Sequence, residues 1–153
     1  MEQQKQIHCI LRNKWVAELP EEIVRQKLVH HMVHQLGYPK GSLSLETSLH
    51  QIPHLNSQAH ALPQRRTDLI CFAKGIHPQW DLYPLLVIEC KAVKLTKKAM
   101  TQLVGYNHFL KAYFIALINA EGMRLGWYEG GEYRFIERLP SYEDLIASIR
   151  HPT

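Results

Sequence analysis

The stretch PLLVIECKAV, residues 84–93, limits what this chain can become more than any other part of it. Leu85, Leu86, Val87 and Ile88 form a short apolar run of the kind found in buried strands, and the pattern predicts a core strand over Leu85–Val93. Glu89 and Lys91 then stand inside that strand. Taking a carboxylate or an ammonium group out of water costs several kcal/mol unless a partner compensates, so something close by in the folded chain has to want these charges. Alternation along a strand puts Glu89 and Lys91 on one face and Ile88, Cys90 and Ala92 on the other.

A lone Glu-x-Lys reads most simply as a weak ion pair on a half-exposed strand. Asp68 changes the reading. It lies in RRTDLICFA, predicted as another strand with Leu69, Ile70 and Phe72 as its apolar content, and antiparallel pairing would set it beside Glu89. Two neighbouring carboxylates repel, and a divalent cation is the usual relief; magnesium prefers one or two carboxylates together with water and phosphate oxygens. Lys91 next to such a cation can orient a water or stabilise negative charge on a phosphate. From the residues alone, the chemistry is metal-assisted phosphodiester hydrolysis.

The remaining chain frames that constellation. Pro20 to Leu36 predicts a helix, with proline and two glutamates in the first turn and a stop at Gly37; Val24, Leu28, Met32 and Leu36 form its buried stripe. Glu22 and Gln26 sit four apart on its flank and can point together into a groove. GSLSLETSL predicts a strand, followed by a polar loop from His50 to Gln64. Thr96 is the expected N-cap of a helix through Phe109 that turns Met100, Leu103 and Val104 toward a sheet. YFIALINA is a buried strand, GMRLGWYEGGEYRFIERL a hairpin about Gly130 and Gly131, and SYEDLIASIR a closing helix capped by Ser141. The order α-β-β-β-α-β-β-β-α predicts an α/β fold with a central mixed β-sheet flanked by α-helices.

Composition sets the outer limits. With 153 residues, 46% hydrophobic and 21% charged, the chain is expected to fold as one domain, residues 1–153. No apolar run approaches the ~20 residues of a membrane span, so no membrane partner is expected. Nor does MEQQKQIHCILRNKW look like a secretory signal, which makes the cytoplasm the expected location. Cys9, Cys71 and Cys90 are far apart and odd in number, as reduced thiols would be. The charge of +4, from 18 basic and 14 acidic residues, permits a polyanionic partner. Lys94, Lys97 and Lys98 crowd the segment after the charged strand and are the candidate contacts to a nucleic-acid backbone.

Asp68, then Glu89-x-Lys91 in a hydrophobic strand, then Gln102-xxx-Tyr106 on the following helix resembles the PD-(D/E)XK nuclease superfamily. PEEIVRQ followed by LGYP is similar to the amino-terminal nuclease domain of type I restriction enzyme R subunits. The resemblance runs from about Pro20 to Tyr128 and implies a restriction-endonuclease-like core and a magnesium-dependent DNA endonuclease or exonuclease, in which manganese can substitute. It further implies Asp68 and Glu89 as metal ligands, Lys91 as the catalytic lysine, Glu22 as an accessory acid on the first helix, and Gln102 with Tyr106 bordering the site and the DNA path. Thr67 stands where the superfamily's motif has proline. R subunits carry a helicase motor after this domain; this sequence contains no GxxxxGK[ST] loop, so DNA and a separate helicase or restriction-modification subunit are the implied partners. A homodimer stays open, as does a non-cleaving module of the same fold that binds nucleic acid or a motor protein.

Other patterns are weaker. His30 and His34 lie four apart on a helix but lack the HExxH glutamate, so solvated or DNA-facing histidines are the simpler reading than zinc ligands. His50, His54 and His60 in the polar loop are minor candidates for contact with a phosphate, and Cys90 points to packing.

Overall fold

In a computed structural model the protein is described over residues 3–55 and 62–150. Its elements in chain order are β1 (Gln6–Cys9), β2 (Lys14–Ala17), α1 (Pro20–His34), β3 (Leu43–Ser48), β4 (Arg66–Lys74), β5 (Leu82–Cys90), α2 (Lys97–Leu110), β6 (Phe114–Ile118), β7 (Met123–Glu129), β8 (Glu132–Ile136) and α3 (Tyr142–Arg150). A six-stranded sheet runs β3-β4-β5-β6-β7-β8, and β1 pairs with β2 apart from it. Only β5 and β6 are parallel; the neighbouring pairs are antiparallel. A parallel pair needs a crossover, and α2 supplies it. This is the α/β architecture with a mixed sheet that the element order predicts, and it is consistent with a restriction-endonuclease-like core.

Each sheet face buries its own cluster. On one, Val24, Leu28, Val29 and Met32 of α1 and Leu145 of α3 pack over Leu69, Ile88 and Ala116. On the other, Met100, Leu103, Tyr106 and Leu110 of α2 cover Ile70, Val87, Ile115 and Leu117. Burying a side chain such as Leu103 contributes about 2 kcal/mol by its apolar area. The central strand is therefore covered on both sides, which explains why its sequence reads as a continuous apolar run.

Several boundaries depart from the sequence reading. Helix α1 stops at His34, and Gly37 at φ +73° turns the chain so that Leu36 lies outside the helix. The Leu36 carbonyl instead accepts the Tyr142 N–H at 3.0 Å, tying α3 to the end of α1. The central strand spans Leu82–Cys90, not Leu85–Val93, so Lys91 lies one residue past its end. Pairing with β4 ends already at Ile88, pairing with β6 continues to Cys90, and the Lys91 N–H makes one last bond to the Ile118 carbonyl at 2.8 Å. The β1–β2 hairpin was not foreseen: each strand has four residues, too few for a period, and the turn uses Asn13 at φ +52°.

The segment read as a polar loop is partly core. Leu49, Ile52, Leu55 and Leu62 are buried in the cluster under α2. The candidate His60 lies outside the described residues.

Candidate active site

The strand register brings the two central carboxylates to one place. Leu69 pairs with Ile88, so the next step sets Asp68 opposite Glu89, at the end of the sheet where β4 begins and β5 ends. The ladder stops there because a side chain replaces it: Asp68 Oδ2 accepts the Cys90 N–H at 2.8 Å. On the other edge of β4 the register passes from Leu45–Leu69 to Thr47–Thr67, leaving Glu46 facing Asp68 across a gap. Glu46 has φ +49°, a conformation that non-glycine residues adopt at a cost and that clusters at functional sites. The buried Thr67, in the position of the motif's proline, donates its hydroxyl to the Thr47 carbonyl at 3.1 Å and closes the ladder below the gap.

Glu89 is buried and in electrostatic difficulty. Burial, first, and the charge of Asp68, second, push its carboxyl up to about 7; Arg65 opposes them, a hydrogen bond with Asp68 adds to them, and Lys91 opposes weakly. Arg65 Nη2 lies 3.4 Å from Glu89 Oε1, yet that buried oxygen has no hydrogen-bond partner among the described residues. The Arg65 guanidinium sits 4.5 Å over the ring of Tyr106. Tyr106 is itself buried with its hydroxyl unpartnered, and burial pushes its phenol up to about 12.

Two hard, oxygen-donating carboxylates, one with an orphaned buried oxygen, fit a magnesium-type cation that keeps most of its waters. They do not form an all-protein cage: among the described residues no group of three or more His, Cys, Asp or Glu side chains is arranged to hold a metal.

Glu22 shares with Asp68 a cavity of about 430 Å³ at the amino-terminal end of α1, lined also by Glu21, Arg25, Glu46 and Cys90. The Glu22 carboxylate is already engaged: it is paired with Arg25, accepts the Gln26 amide at 2.7 Å, and has Arg12 Nη1 at 3.6 Å. Glu22 and Gln26 do meet on one flank of α1, inside a network with arginines, but Glu22 lines the cavity while Gln26 is buried behind it. Arg12 also reaches Glu46 at 2.9 Å.

Of the residues singled out in the sequence, the fold gathers Asp68, Glu89 and Tyr106, sets Lys91 near enough to act on Glu89, and places Glu22 on the same cavity as Asp68. Gln102 is exposed one turn before Tyr106. Lys94, Lys97 and Lys98 are exposed, and Lys97 opens α2 under the Thr96 cap, whose hydroxyl accepts the Ala99 N–H at 3.1 Å. His54 lies elsewhere, with Nε2 2.8 Å from the Leu110 carbonyl at the far end of α2. His30 and His34 contact each other, with ring centroids 4.3 Å apart, on exposed positions of α1. Cys90 packs in the core, and burial, then Asp68, raise its thiol pKa, which keeps it protonated.

Arg12 and Glu46 are not singled out in the sequence, and Arg65 and Arg25 stand there only as basic residues, not as partners of Glu89 and Glu22. Arg25 carried a faint signal, a basic residue three positions after Glu22 on a helix. Glu46 and Arg12 carried none, since one depends on a local backbone distortion and the other on the short hairpin.

Searches of curated proteins and of solved structures each found no match. The family model of the type I restriction enzyme R protein N terminus does match, over residues 20–140, a span that contains α1, the whole six-stranded sheet and every carboxylate of the site, and the chain belongs to that family.

Proposed function

We propose that the protein is a divalent-metal-dependent deoxyribonuclease. The observation that carries this reading is the mutually repelling pair of a half-buried Asp68 and a buried Glu89 at the open end of the sheet, with Lys91 one residue beyond the strand. Asp68 and Glu89 are the residues that would hold magnesium or manganese. A cation there supplies Lewis-acid polarisation of a phosphate oxygen and a more acidic water. Lys91, half-buried just past the strand end, stabilises charge developing on the phosphate or orients the attacking water with its ammonium group. Glu22, already bound to Arg25 and Gln26, positions that arginine and the cavity wall rather than meeting the metal directly. Tyr106 and Gln102 shape the side facing α2, and Lys94, Lys97 and Lys98 contact the DNA backbone near the start of α2. A helicase or restriction-modification subunit is the proposed protein partner, in keeping with the family's description.

The test is a nuclease assay of the purified chain with magnesium or manganese on linear, circular, single-stranded and branched DNA. Cleavage that EDTA abolishes is the expected result. DNA binding without cleavage of any of these would favour a non-cleaving module.

A further inference from the structure

We propose that Arg65 is a working residue of this site: it serves Glu89 as an internal counter-ion in the metal-free protein and, once a divalent cation takes over that carboxylate, offers its guanidinium to a phosphate of the nucleic acid. The inference rests on the nuclease reading and adds a residue to it. Three observations carry it.

The first is the looseness of the pair. Arg65 Nη2 stands 3.4 Å from Glu89 Oε1, and that oxygen has no hydrogen bond among the described residues. A structural arginine against a buried carboxylate ordinarily forms a bidentate pair, because each unsatisfied lone pair is expensive. Here the attraction is mostly coulombic, the kind a doubly charged ion outcompetes.

The second is asymmetry of burial. The Glu89 side chain is 7% exposed and that of Arg65 is 38% exposed. Arg65 therefore keeps part of its side chain in solvent, so exchanging a carboxylate for a phosphate needs less further desolvation than for a buried arginine. Its five N–H donors make no side-chain hydrogen bond among the described residues.

The third is its support. The guanidinium lies 4.5 Å over the Tyr106 ring, which fixes its plane while leaving the donor edge unspent. The same ring borders Glu89 closely enough that the carboxylate raises the Tyr106 pKa. A phosphate reaching a cation on Glu89 would thus meet a planar, pre-oriented fork at its side, the geometry that favours arginine over lysine for phosphate.

Competition for Glu89 and contact with phosphate make opposite demands, which separates this role from simple scaffolding. Manganese binding to the parent, Arg65→Gln and Arg65→Lys is measured by titration calorimetry, alongside binding of a duplex oligonucleotide by fluorescence anisotropy in EDTA and in calcium, used as a probe ion. The expected result is that Arg65→Gln binds manganese about fivefold more tightly than the parent, the size of one modest ion pair. In calcium it binds the duplex about fivefold more weakly, with a salt dependence reduced by about one counterion. In EDTA it binds the duplex as the parent does, since Arg65 is then held by Glu89. Arg65→Lys should keep the parent's manganese affinity and recover only part of the duplex binding. Unchanged or weaker manganese binding in Arg65→Gln overturns the proposal, as does an equal loss of duplex binding with and without calcium. A parent that binds no manganese overturns the nuclease reading itself and this inference with it.

Discussion

Replacing Glu89 by glutamine should remove the pH dependence that this one group imposes on the metal-free protein. Glutamine keeps the shape and cannot ionise. In the parent, burial beside Asp68 moves the Glu89 carboxyl from 4.5 to about 7, so the folded state holds its proton more tightly than the unfolded state. The stability contributed by that proton is fully present below the unfolded value and is lost as the pH rises through the folded one. A shift of this size is worth roughly 3 kcal/mol, a large share of the 5–15 kcal/mol that typically holds a domain together. The assay is urea unfolding in EDTA, followed from about pH 4.5 to about pH 8 for both proteins, with the difference in unfolding free energy plotted against pH. Taking the difference cancels the titrating groups that do not interact with Glu89, so what is left belongs to Glu89 together with its neighbour Asp68, and any constant cost of burying the amide changes its level without changing its slope. The difference should move by roughly 3 kcal/mol in favour of Glu89→Gln across that range. Magnesium added near neutral pH should restore the parent and leave the variant unmoved, because a ligand stabilises only the state that binds it. A difference that stays flat with pH would mean that Glu89 ionises freely, and the strain attributed to the carboxylate pair would be absent.

Further expectations follow from individual contacts. Millimolar manganese should raise the Tm of the parent and raise that of Asp68→Ala much less; equal shifts would indicate diffuse ion binding. Charge reversal at both Lys97 and Lys98 should weaken DNA binding at low salt and flatten its salt dependence by about one counterion per lost phosphate contact, while manganese binding survives. An unchanged salt slope would leave these lysines as a solvated helix start. Gly126→Ala should cost about 1–3 kcal/mol in urea unfolding, because a Cβ there would stand 2.7 Å from the Phe135 ring; a neutral result would show that the ring moves aside freely.

Much of the architecture was legible because it rests on local signals. The burial of β5 on both faces required an unbroken apolar run, and the Thr96 cap, the Gly130–Gly131 turn and the Ser141 cap each announce themselves in a few residues. The meeting of Asp68 and Glu89 was legible for a related reason: antiparallel neighbours share a face, so two carboxylates near corresponding strand ends must converge. What stayed hidden depends on the third dimension. The β4 ladder ends at Ile88 and Asp68 then takes the Cys90 N–H, an event invisible in the residues around Lys91. Arg65 precedes its strand in a stretch with no period, and only the packing of α2 across the sheet brings Tyr106 beneath it. The arginine network around Glu22 needs the β1–β2 hairpin and the left-handed Glu46, both set by tertiary contacts rather than by propensity.

The central claim is that Asp68, Glu89 and Lys91 form one metal-dependent phosphodiesterase site. Its most direct test is single-turnover cleavage of DNA in magnesium by the parent, Asp68→Asn, Glu89→Gln and Lys91→Ala, each first shown to be folded by its unfolding transition. The account predicts cleavage by the parent that EDTA abolishes and a loss of at least about a hundredfold in each variant, the scale on which removing one group from a charge-stabilising site acts. Parent-level cleavage by any two of the three variants would contradict it and place the chemistry elsewhere in the molecule.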